Sequence, residues 1–530
     1  MLSRDVEKTM SKAAEMAKVS VRGGFHLLWG LVISTVISAV CTIIIGNLLG
    51  DVKYGLYTIA LVPPMLIANF RDWGINAAMI KYSAQYNAEN KRTKIRSIFA
   101  AGIIFETVLG LVLTVIAFGL SGFIATLYNN VELTPLIQVS SLTILAGALL
   151  ATASAAFVGI ERMELNSVTL IFQSIIKTIV ILMLVLFGMG PLGAVVGYTI
   201  AFLAAGLIGV LLMWILYKNL PKQTAIEIKT TVKTMFNYGL PVSIAQIITG
   251  FQLQFYNFLL PIYVADDLIG NYGIATTFVV LIAFFAQPIL TILFPAFSKL
   301  DVRKDHDTLK NVFQFSVKYA SLLVVPITAI VIVLAEPGIG VLFPTYKTAP
   351  LFLALLATSY FLAAAGNLSI ANFLNGQGQT KFNLKLTLLT AAIGFPLSVI
   401  LIYQFGVVGL AITMLVAAIP SLIIALYWLK KNYEVTVDWS SSARIILSAA
   451  IAAAITYSLL YLLVLSNWVA LIVGTAVFLC SFVFAVLLTR AISRIDIRNL
   501  RDMLGGLGFL RRPLSFILNI LEKVMDILRI

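Results

Sequence analysis

Four charged residues stand in or beside long apolar stretches of the sequence. Arg71 and Asp72 are neighbours, whereas Glu106 and Lys177 are each surrounded by apolar residues. A charge inside a bilayer is costly, so such side chains normally face a protein interior or a watery cavity and find partners. Residue counts at about 1.5 Å per residue place Glu106 and Lys177 about 15 Å deep, close to the membrane midplane. We therefore expect a Glu106–Lys177 ion pair.

The basic side chains define the chemistry that we expect. A functional interpretation places Arg71 and Lys177, with Arg22 near the cytoplasmic mouth, around a cationic cavity that receives an anionic headgroup. The acids Asp72 and Glu106 would moderate this attraction or bind a coupling cation. A structural interpretation stays open beside it. In that case Arg71 extends to phospholipid headgroups, Asp72 faces a basic loop, and a Glu106–Lys177 bridge locks the N-terminal part of the fold.

The composition indicates that much of this chain lies in a lipid bilayer. Hydrophobic residues make up 60% of its 530 residues, charged residues make up 11%, and the mean hydropathy is +1.00. These values are typical of polytopic membrane proteins and exclude a soluble enzyme. Apolar segments of about 20 residues, enough to cross about 30 Å of hydrocarbon, recur along the chain. We predict about fourteen spans, at residues 25–46, 54–79, 97–119, 135–157, 166–188, 191–217, 238–263, 270–295, 313–335, 348–374, 383–403, 406–430, 444–464 and 468–489.

Lysine and arginine fall almost entirely in alternate loops and at the two ends of the chain. Cytoplasmic loops of membrane proteins carry the excess of positive charge, so both termini are predicted to be cytoplasmic. The net charge of +14 then reflects topology and attraction to anionic inner-leaflet lipids, and we expect no nucleic-acid partner. The basic clusters lie at residues 4–22, 81–96, 218–233, 299–310 and 490–529.

Both ends of the chain are expected to lie against the inner membrane surface. Residues 1–24 lack the apolar core of a signal peptide and are predicted to form an interfacial segment. Residues 490–530 form a basic tail in which apolar residues recur at helical spacing from Leu514 onward. This pattern predicts an amphipathic helix lying flat on the membrane, with docking of a partner protein as the alternative.

Cysteine and histidine show no spacing that is typical of a metal or redox site. Cys41 and Cys480 lie inside predicted spans, and His26 and His306 stand alone. The segment NGQGQTK at 375–381 lacks the phosphate-loop pattern of ATPases. We expect no metal, no catalytic residue and no cofactor, with Na⁺ or H⁺ left open as a coupling ion.

The two halves of the sequence match each other. Tyr54 and Gly55 align with Tyr272 and Gly273, and GPLGA at 190–194 aligns with GVVGL at 406–410. Each repeat has an even number of predicted spans, so both copies face the same way and are related by an axis along the membrane normal. We therefore predict an all-α protein with two parallel-repeat bundles around a central V-shaped cavity, as in rocking transporters. The bundles lie at 25–217 and 238–430, with a linker at 218–237 and two additional helices at 444–489.

Four sequence segments follow one another at the ends of predicted spans: DWGINAAMIKYSAQY at 72–86, FVGIERMELNSV at 157–168, LFPAFSKL at 293–300 and FLNGQGQTKFN at 373–383. They resemble the recurring signatures of the polysaccharide transporter branch of the multidrug/oligosaccharidyl-lipid/polysaccharide exporter superfamily. The resemblance implies a non-enzymatic flippase that moves a polyprenyl-pyrophosphate-linked oligosaccharide to the outer leaflet by alternating access. It also implies the plasma membrane of a prokaryote and glycan-assembly enzymes that use the product.

The second half carries amides where the first half carries charges. Positions 289 and 393, which match Arg71 and Lys177, are both isoleucine. We predict that the N-terminal bundle binds phosphate and that the C-terminal bundle binds sugar hydroxyls through amides, although interhelical packing explains each amide equally well. The candidate amides are Gln246, Gln252, Gln254, Asn257 and Gln287.

Two other function classes stay open. An ion-coupled multidrug or metabolite antiporter of the same superfamily would use Asp72 or Glu106 as its coupled acid, whereas the basic residues of the first half favour an anion. A membrane glycosyltransferase or polymerase would need catalytic carboxylates in a large outer loop. The predicted outer loops are short, and their one acidic cluster is Asp266 and Asp267.

Overall fold

The computed structural model describes residues 2–221, 228–298, 306–494, 496–498, 501, 519 and 522, without the side chains of 2–28, 284, 286–296 and 306. These residues form α-helices and no strand, and the all-α prediction is confirmed. A π-helical turn, Val185–Met189, follows α5, and a 3₁₀ segment, Thr358–Ala365, follows α11. The helices are α1 (Leu2–Ala68), α2 (Ile75–Ala88), α3 (Arg92–Leu127), α4 (Leu133–Gly159), α5 (Met163–Leu184), α6 (Gly190–Lys218), α7 (Ile228–Tyr263), α8 (Asp266–Ser298), α9 (His306–Val333), α10 (Ala335–Leu342), α11 (Ala349–Ala357), α12 (Asn367–Gly376), α13 (Thr380–Tyr433), α14 (Trp439–Leu462) and α15 (Asn467–Leu488).

Within the described chain, nine helical stretches are long and apolar enough to cross a membrane, and a bent helix pair would make a tenth. Only helices and closed barrels satisfy their backbone groups in lipid, which explains the helical content. Three of the nine stretches have 40, 56 and 54 residues, about two to three times the length that one crossing needs. Each is interrupted by a glycine at positive φ, namely Gly50, Gly188 and Gly406. The polytopic class is confirmed, and the number of about fourteen spans stays a prediction.

The predicted second span, 54–79, is too long. Helix α1 ends at Ala68, and α2 does not begin until Ile75. Gly74 precedes α2 with φ 82°, in the left-handed region that glycine tolerates. Arg71 and Asp72 therefore lie on a turn between two helices, and not in the last turns of a span.

The predicted internal repeat reappears in backbone geometry. Gly190 has φ 55° and ψ −135°, and Gly406, 216 residues later, has φ 56° and ψ −129°. These angles are readily adopted by glycine alone. Helix α4 ends at Gly159 and α12 ends at Gly376, 217 residues later. The two halves thus share local structure at the offset that the sequence match predicts.

The chain folds into two compact units. Unit 1 consists of Met1–Gly273 and Ser398–Val407, and unit 2 of Ile274–Leu397 and Val408–Ile530. Unit 1 contains α7, which we predict to open the C-terminal bundle. The predicted bundles are defined by sequence similarity, whereas the two units are defined by contacts, so the two divisions of the chain need not coincide. The predicted bundles, the linker and the central cavity between the bundles therefore stay predictions. Residues 2–24 of the predicted interfacial segment are part of α1, and most of the predicted amphipathic tail lies outside the described residues.

Each unit has its own buried core. In unit 1, Ile75, Phe99 and Phe157 are fully buried where α2, α3 and α4 meet. In unit 2, Phe313 and Phe373 are fully buried, with ring centroids 5.6 Å apart in an edge-to-face contact. Such aromatic contacts add to the stabilisation that burial provides.

Unit 1 also contains a place where two backbones touch directly. Gly74 at the start of α2 faces Gly239 in α7, and a Cβ on either residue would lie 2.1 Å from the carbonyl oxygen of the other. Small residues permit such close approach between membrane helices. The contact holds α7 against the turn that carries Arg71 and Asp72.

Gly239→Ala is expected to lower thermal stability, because the added methyl group collides with the Gly74 carbonyl and overpacking costs about 1–3 kcal/mol. Gly119→Ala and Gly122→Ala in α3 are matched controls, since a Cβ there meets nothing within 4 Å. Those variants should gain up to about 1 kcal/mol from helix propensity. Thermal unfolding of the purified variants in one detergent measures the difference. Equal melting temperatures for Gly239→Ala and the controls would contradict the close contact.

Candidate functional site

Asp72 lies just before α2, and its side chain accepts a hydrogen bond from the backbone of that helix. Its Oδ1 accepts a hydrogen bond of 2.8 Å from the backbone N–H of Asn76. A carboxylate at this place satisfies an N–H group that a helix start leaves without a partner, and it complements the helix dipole. Asp72 therefore has a structural use, and its use as an ion-coupling acid stays a prediction.

Arg71 is paired with a buried acid on α3. Its Nε lies 2.9 Å from Glu106 Oε2, and 14% of the Arg71 side chain and 0% of the Glu106 side chain are exposed. Asn76 Nδ2 donates to Glu106 Oε1 at 2.9 Å, and Arg71 Nη1 donates to the Ile144 carbonyl oxygen at 3.5 Å. Oε1 of the acid thus accepts a hydrogen bond, whereas Oε2 has a charge contact with Arg71 that lacks hydrogen-bond geometry. The predicted Glu106–Lys177 pair is wrong, because Arg71 reaches Glu106 from the turn after α1.

Glu106 fits inside unit 1 because its neighbours on the same face of α3 are small residues. Gly102, Gly110 and Thr114 are buried with it at four-residue spacing on α3, and this spacing places all four on one helix face. A buried ion pair is stable only when its geometry and its further hydrogen bonds compensate for desolvation. Asn76 provides such a bond. Arg71 is therefore a compensated charge in this structure.

Lys177 borders a separate polar cavity inside unit 1. Its Nζ donates to Ser38 Oγ at 2.8 Å. The cavity has a volume of about 190 Å³ and is lined by α1, α5 and α6. None of its eight described lining residues is acidic. An ammonium group among hydroxyl and amide donors is suited to bind an anion. The lining residues are Ser34, Ser38, Leu170, Gln173, Ser174, Lys177, Tyr198 and Phe202.

The hydroxyl groups of this cavity were missing from the predicted site, although the sequence contains a signal for them. Ser34 and Ser38 are four residues apart on α1, and Gln173, Ser174 and Lys177 fall within one turn of α5. Residues at this spacing share a helix face. Polar residues that share a face within an apolar span indicate a buried polar site.

Four of the predicted sugar-binding amides lie on α7, and three of these bond to tyrosines or to one another. Gln252 Nε2 donates to the Tyr256 hydroxyl. Tyr272 donates its hydroxyl proton to Asn257 Oδ1 at 2.7 Å, and Asn257 Nδ2 donates to Gln254 Oε1 at 3.5 Å. Such bonds contribute to helix packing in membranes. Sugar binding by these amides stays a prediction.

The remaining predicted site residues are not brought to either charged group. Gln246 on α7 is exposed. The side chains of Arg22 and Gln287 lie outside the described residues. In the part of the chain that the structure describes, no group of three or more His, Cys, Asp or Glu residues could hold a metal ion.

Comparison of the sequence with known families and proteins identifies its relatives. The model of the polysaccharide biosynthesis protein family matches residues 20–301, more than half of the chain, and the model of lipid II flippase MurJ matches residues 275–482. An uncharacterised membrane protein of Methanocaldococcus jannaschii is 22% identical over 435 residues, covering 78% of this chain and 85% of the relative. The probable low-salt glycan biosynthesis flippase Agl15 of Haloferax volcanii is 20% identical over 272 residues, covering 51% of this chain and 57% of Agl15.

Solved structures with a similar fold are transporters. Lipid II flippase MurJ in an inward closed conformation has a TM-score of 0.68 at 15% identity, covering 88% of this chain and 98% of that chain. An inward-facing multidrug resistance transporter of the MATE family has a TM-score of 0.60 at 14% identity, covering 77% and 98%. At these identities the likeness shows the fold alone. Through its family match the chain therefore belongs to the polysaccharide biosynthesis protein family, in the polysaccharide transporter branch of the multidrug/oligosaccharidyl-lipid/polysaccharide exporter superfamily, and is a membrane flippase rather than an enzyme.

Proposed function

We propose that the protein moves a polyprenyl-pyrophosphate-linked oligosaccharide from the cytoplasmic to the outer leaflet by alternating access, for assembly of surface polysaccharide or glycoprotein. Membership of the polysaccharide biosynthesis protein family supports a glycan substrate. One relative is named a probable glycan biosynthesis flippase, and one similar structure is a lipid II flippase. The observation that carries the proposal is a half-buried cationic cavity, at Lys177, in a chain of this family.

Lys177 supplies the recognition chemistry in this proposal. The pyrophosphate is the charged part of such a lipid and is shared by substrates with different sugars. An ammonium group offers it charge-assisted hydrogen bonds, each worth about 1.5–3 kcal/mol. The cavity of about 190 Å³ corresponds to the volume of about six water molecules, which is room for a phosphate group but not for a whole oligosaccharide. The sugar and the lipid tail therefore extend to other surfaces.

Arg71 has a different part in the proposal. Glu106 compensates its charge at 2.9 Å, so an anionic headgroup has to compete with Glu106 for the guanidinium. Such competition keeps the attraction moderate, and a transporter needs moderate attraction because it must release its substrate. The proposed substrate contacts further include Arg22 for the headgroup and Gln246, Gln252, Gln254, Asn257 and Gln287 for the sugar.

The geometry favours this proposal over a cation antiporter. An antiporter for cationic drugs needs an acid whose charge is available to the drug. Glu106 is held by Arg71 and Asn76, and Asp72 by the backbone of α2. The charged group that borders the polar cavity is instead the cation Lys177.

The membrane potential is the proposed driving force. With a negative cytoplasm, outward movement of one negative charge across the whole field is favourable by about 2.3 kcal/mol per 100 mV. Glycan-assembly enzymes that remove the product on the outer face would add to it. The proposal includes two candidate coupling ions: Na⁺ or H⁺ would bind at Asp72 or Glu106. It also places the protein in the plasma membrane of a prokaryote, with both termini in the cytoplasm.

Selectivity between anionic and cationic substrates tests this function. Proteoliposomes that contain the full chain receive a labelled lipid-pyrophosphate-linked sugar or, in parallel, a cationic dye. The sugar lipid is expected to change leaflet with its covalent structure intact, faster than in protein-free vesicles, and the dye is expected to stay outside. Dye uptake without lipid transfer would favour the antiporter, and a new glycosidic bond would favour a glycosyltransferase.

A further inference from the structure

The chain that follows α15 folds back onto unit 2 and begins a new helix there. The Ser493 backbone N–H donates to Asp496 Oδ2 at 2.7 Å, and the Asp496 N–H donates to Ser493 Oγ at 3.3 Å. This reciprocal pair is the capping box that marks a helix start. Residue 494, residues 496–498 and residue 501 are helical. The base of the tail therefore has a defined structure where it leaves the last span.

A buried ion pair anchors this helix start to α9. Lys318 Nζ lies 2.6 Å from Asp496 Oδ2, and only 15% and 2% of the two side chains are exposed. Burial by itself raises the pKa of the Asp496 carboxyl, but hydrogen bonds from Lys318 and Ser493 outweigh it and hold the pKa below its usual value. Asp496 is therefore ionised at neutral pH. Ile492 and Ile497 pack into a second buried cluster of unit 2, with Val325 of α9 and Phe478 of α15, and add to the anchor.

Arginines line the anchored segment on its solvent side. Arg494, Arg498 and Arg501 are spaced four and three residues apart, so they share one face of a helix. All three are exposed, as are Arg490 and Arg444, whose Nη1 donates to the Arg490 carbonyl oxygen at 3.2 Å. We call these five arginines the tail-base patch. Arg501 pairs with Glu522 at 2.7 Å, and Asp496, the acid closest in sequence, is used by Lys318 and Ser493. Five arginines beside one paired acid leave the patch with a net positive charge.

The patch lies at the depth of lipid headgroups. Arg444 is five residues inside α14, and Arg490 is two residues beyond α15, and both helices are long and apolar enough to span a membrane. Trp439, an aromatic residue of the type that anchors helices at the membrane interface, is 56% exposed at the start of α14. The arginine fork also matches phosphate geometry in two-point contacts. The phosphate of a neighbouring lipid headgroup can therefore contact the patch.

We propose that the tail-base patch is a binding site for headgroups of anionic phospholipids, in the leaflet that faces the cytoplasm. This site is separate from the transported substrate, because it lies in unit 2 and shares no residue with the Lys177 cavity. The buried Lys318–Asp496 pair positions the arginines for this contact.

Native mass spectrometry of the full chain in detergent, titrated with phosphatidylglycerol or phosphatidylcholine of equal acyl length, tests the proposal. The parent is expected to prefer phosphatidylglycerol. Each basic side chain near an anionic surface contributes about fivefold in affinity, so Arg490→Gln/Arg494→Gln/Arg498→Gln should lower that affinity by more than about tenfold. The matched control Arg92→Gln/Lys229→Gln/Lys233→Gln removes three exposed charges from unit 1 and should change it by less than about twofold. Equal losses in both triple variants, or a loss in neither, would overturn the proposal. If the patch variant keeps its affinity for phosphatidylglycerol, the tail-base patch does not bind lipid, and an acidic segment of a partner protein is the alternative occupant.

Asp496→Asn gives a second test in which the two explanations predict opposite signs. The variant raises the net charge by one, so diffuse attraction to anionic lipid would increase. Loss of the anchor to Lys318 should instead lower the affinity for phosphatidylglycerol, and an increase would contradict the positioning role. The patch variant does not alter the anchor, so the first test stands even if Asp496→Asn misfolds.

Discussion

Lys177→Gln is expected to slow the transfer of a lipid-pyrophosphate-linked sugar by about tenfold or more. Glutamine keeps a hydrogen-bond donor that points toward Ser38, but it removes the only cation among the eight described lining residues of the cavity. One charge-assisted hydrogen bond is worth about 1.5–3 kcal/mol, and about 1.4 kcal/mol corresponds to a tenfold change. Transfer rates in proteoliposomes at subsaturating substrate, with matched amounts of protein, measure the effect.

Two control variants separate the charge of Lys177 from damage to the fold. Lys177→Arg keeps the positive charge and should retain more transfer than Lys177→Gln. Lys233→Gln removes an exposed lysine of α7 and should transfer like the parent. If Lys177→Gln and Lys233→Gln have the same rate, Lys177 does not bind the anionic headgroup.

Glu106→Gln is expected to make the transporter bind its substrate more tightly and release it more slowly. The substitution removes the acid 2.9 Å from Arg71 and leaves the guanidinium available to the headgroup. Both KM and kcat should fall, the pattern expected when the bound ground state is stabilised. Because breaking a buried ion pair costs about 3–5 kcal/mol, thermal stability should fall as well. Transfer kinetics and thermal unfolding of the same preparation measure the two effects.

The double variant Arg71→Gln/Glu106→Gln separates stability from substrate binding. Two neutral amides leave no uncompensated buried charge, so this variant should be more stable than Glu106→Gln. Its KM should nevertheless exceed that of Glu106→Gln, because it has no guanidinium for the headgroup. Unchanged KM and kcat in Glu106→Gln would show that the Arg71–Glu106 pair has only a structural role.

Hydropathy predicts the class of this fold because a bilayer permits little besides apolar helices. The sequence match between the two halves likewise predicts that Gly190 and Gly406 have similar backbone angles. The end of α1 at Ala68 was not predictable in the same way. Residues 69–74 are followed by a further apolar run, and a hydropathy average continues through a turn whose position depends on the conformation of Gly74.

The charged residues of the site were predictable, but their partners were not. Counting residues along a helix gives a depth in the membrane and no direction around the helix axis. Glu106 and Lys177 are matched by predicted depth alone, whereas the long side chain of Arg71 reaches Glu106 from the neighbouring turn. Asn76 was missed because an amide that bonds to an acid on another helix leaves no local sequence pattern.

The most direct measurement of the central claim compares one sugar on two lipids. Sealed proteoliposomes carry the labelled sugar linked either to a polyprenyl pyrophosphate or to a neutral lipid of the same chain length, and a membrane-impermeant glycosidase reports the exposed leaflet over time. The account predicts protein-dependent transfer of the pyrophosphate lipid and little transfer of the neutral lipid. Equal transfer of both lipids, or no transfer above that of protein-free vesicles, would contradict it.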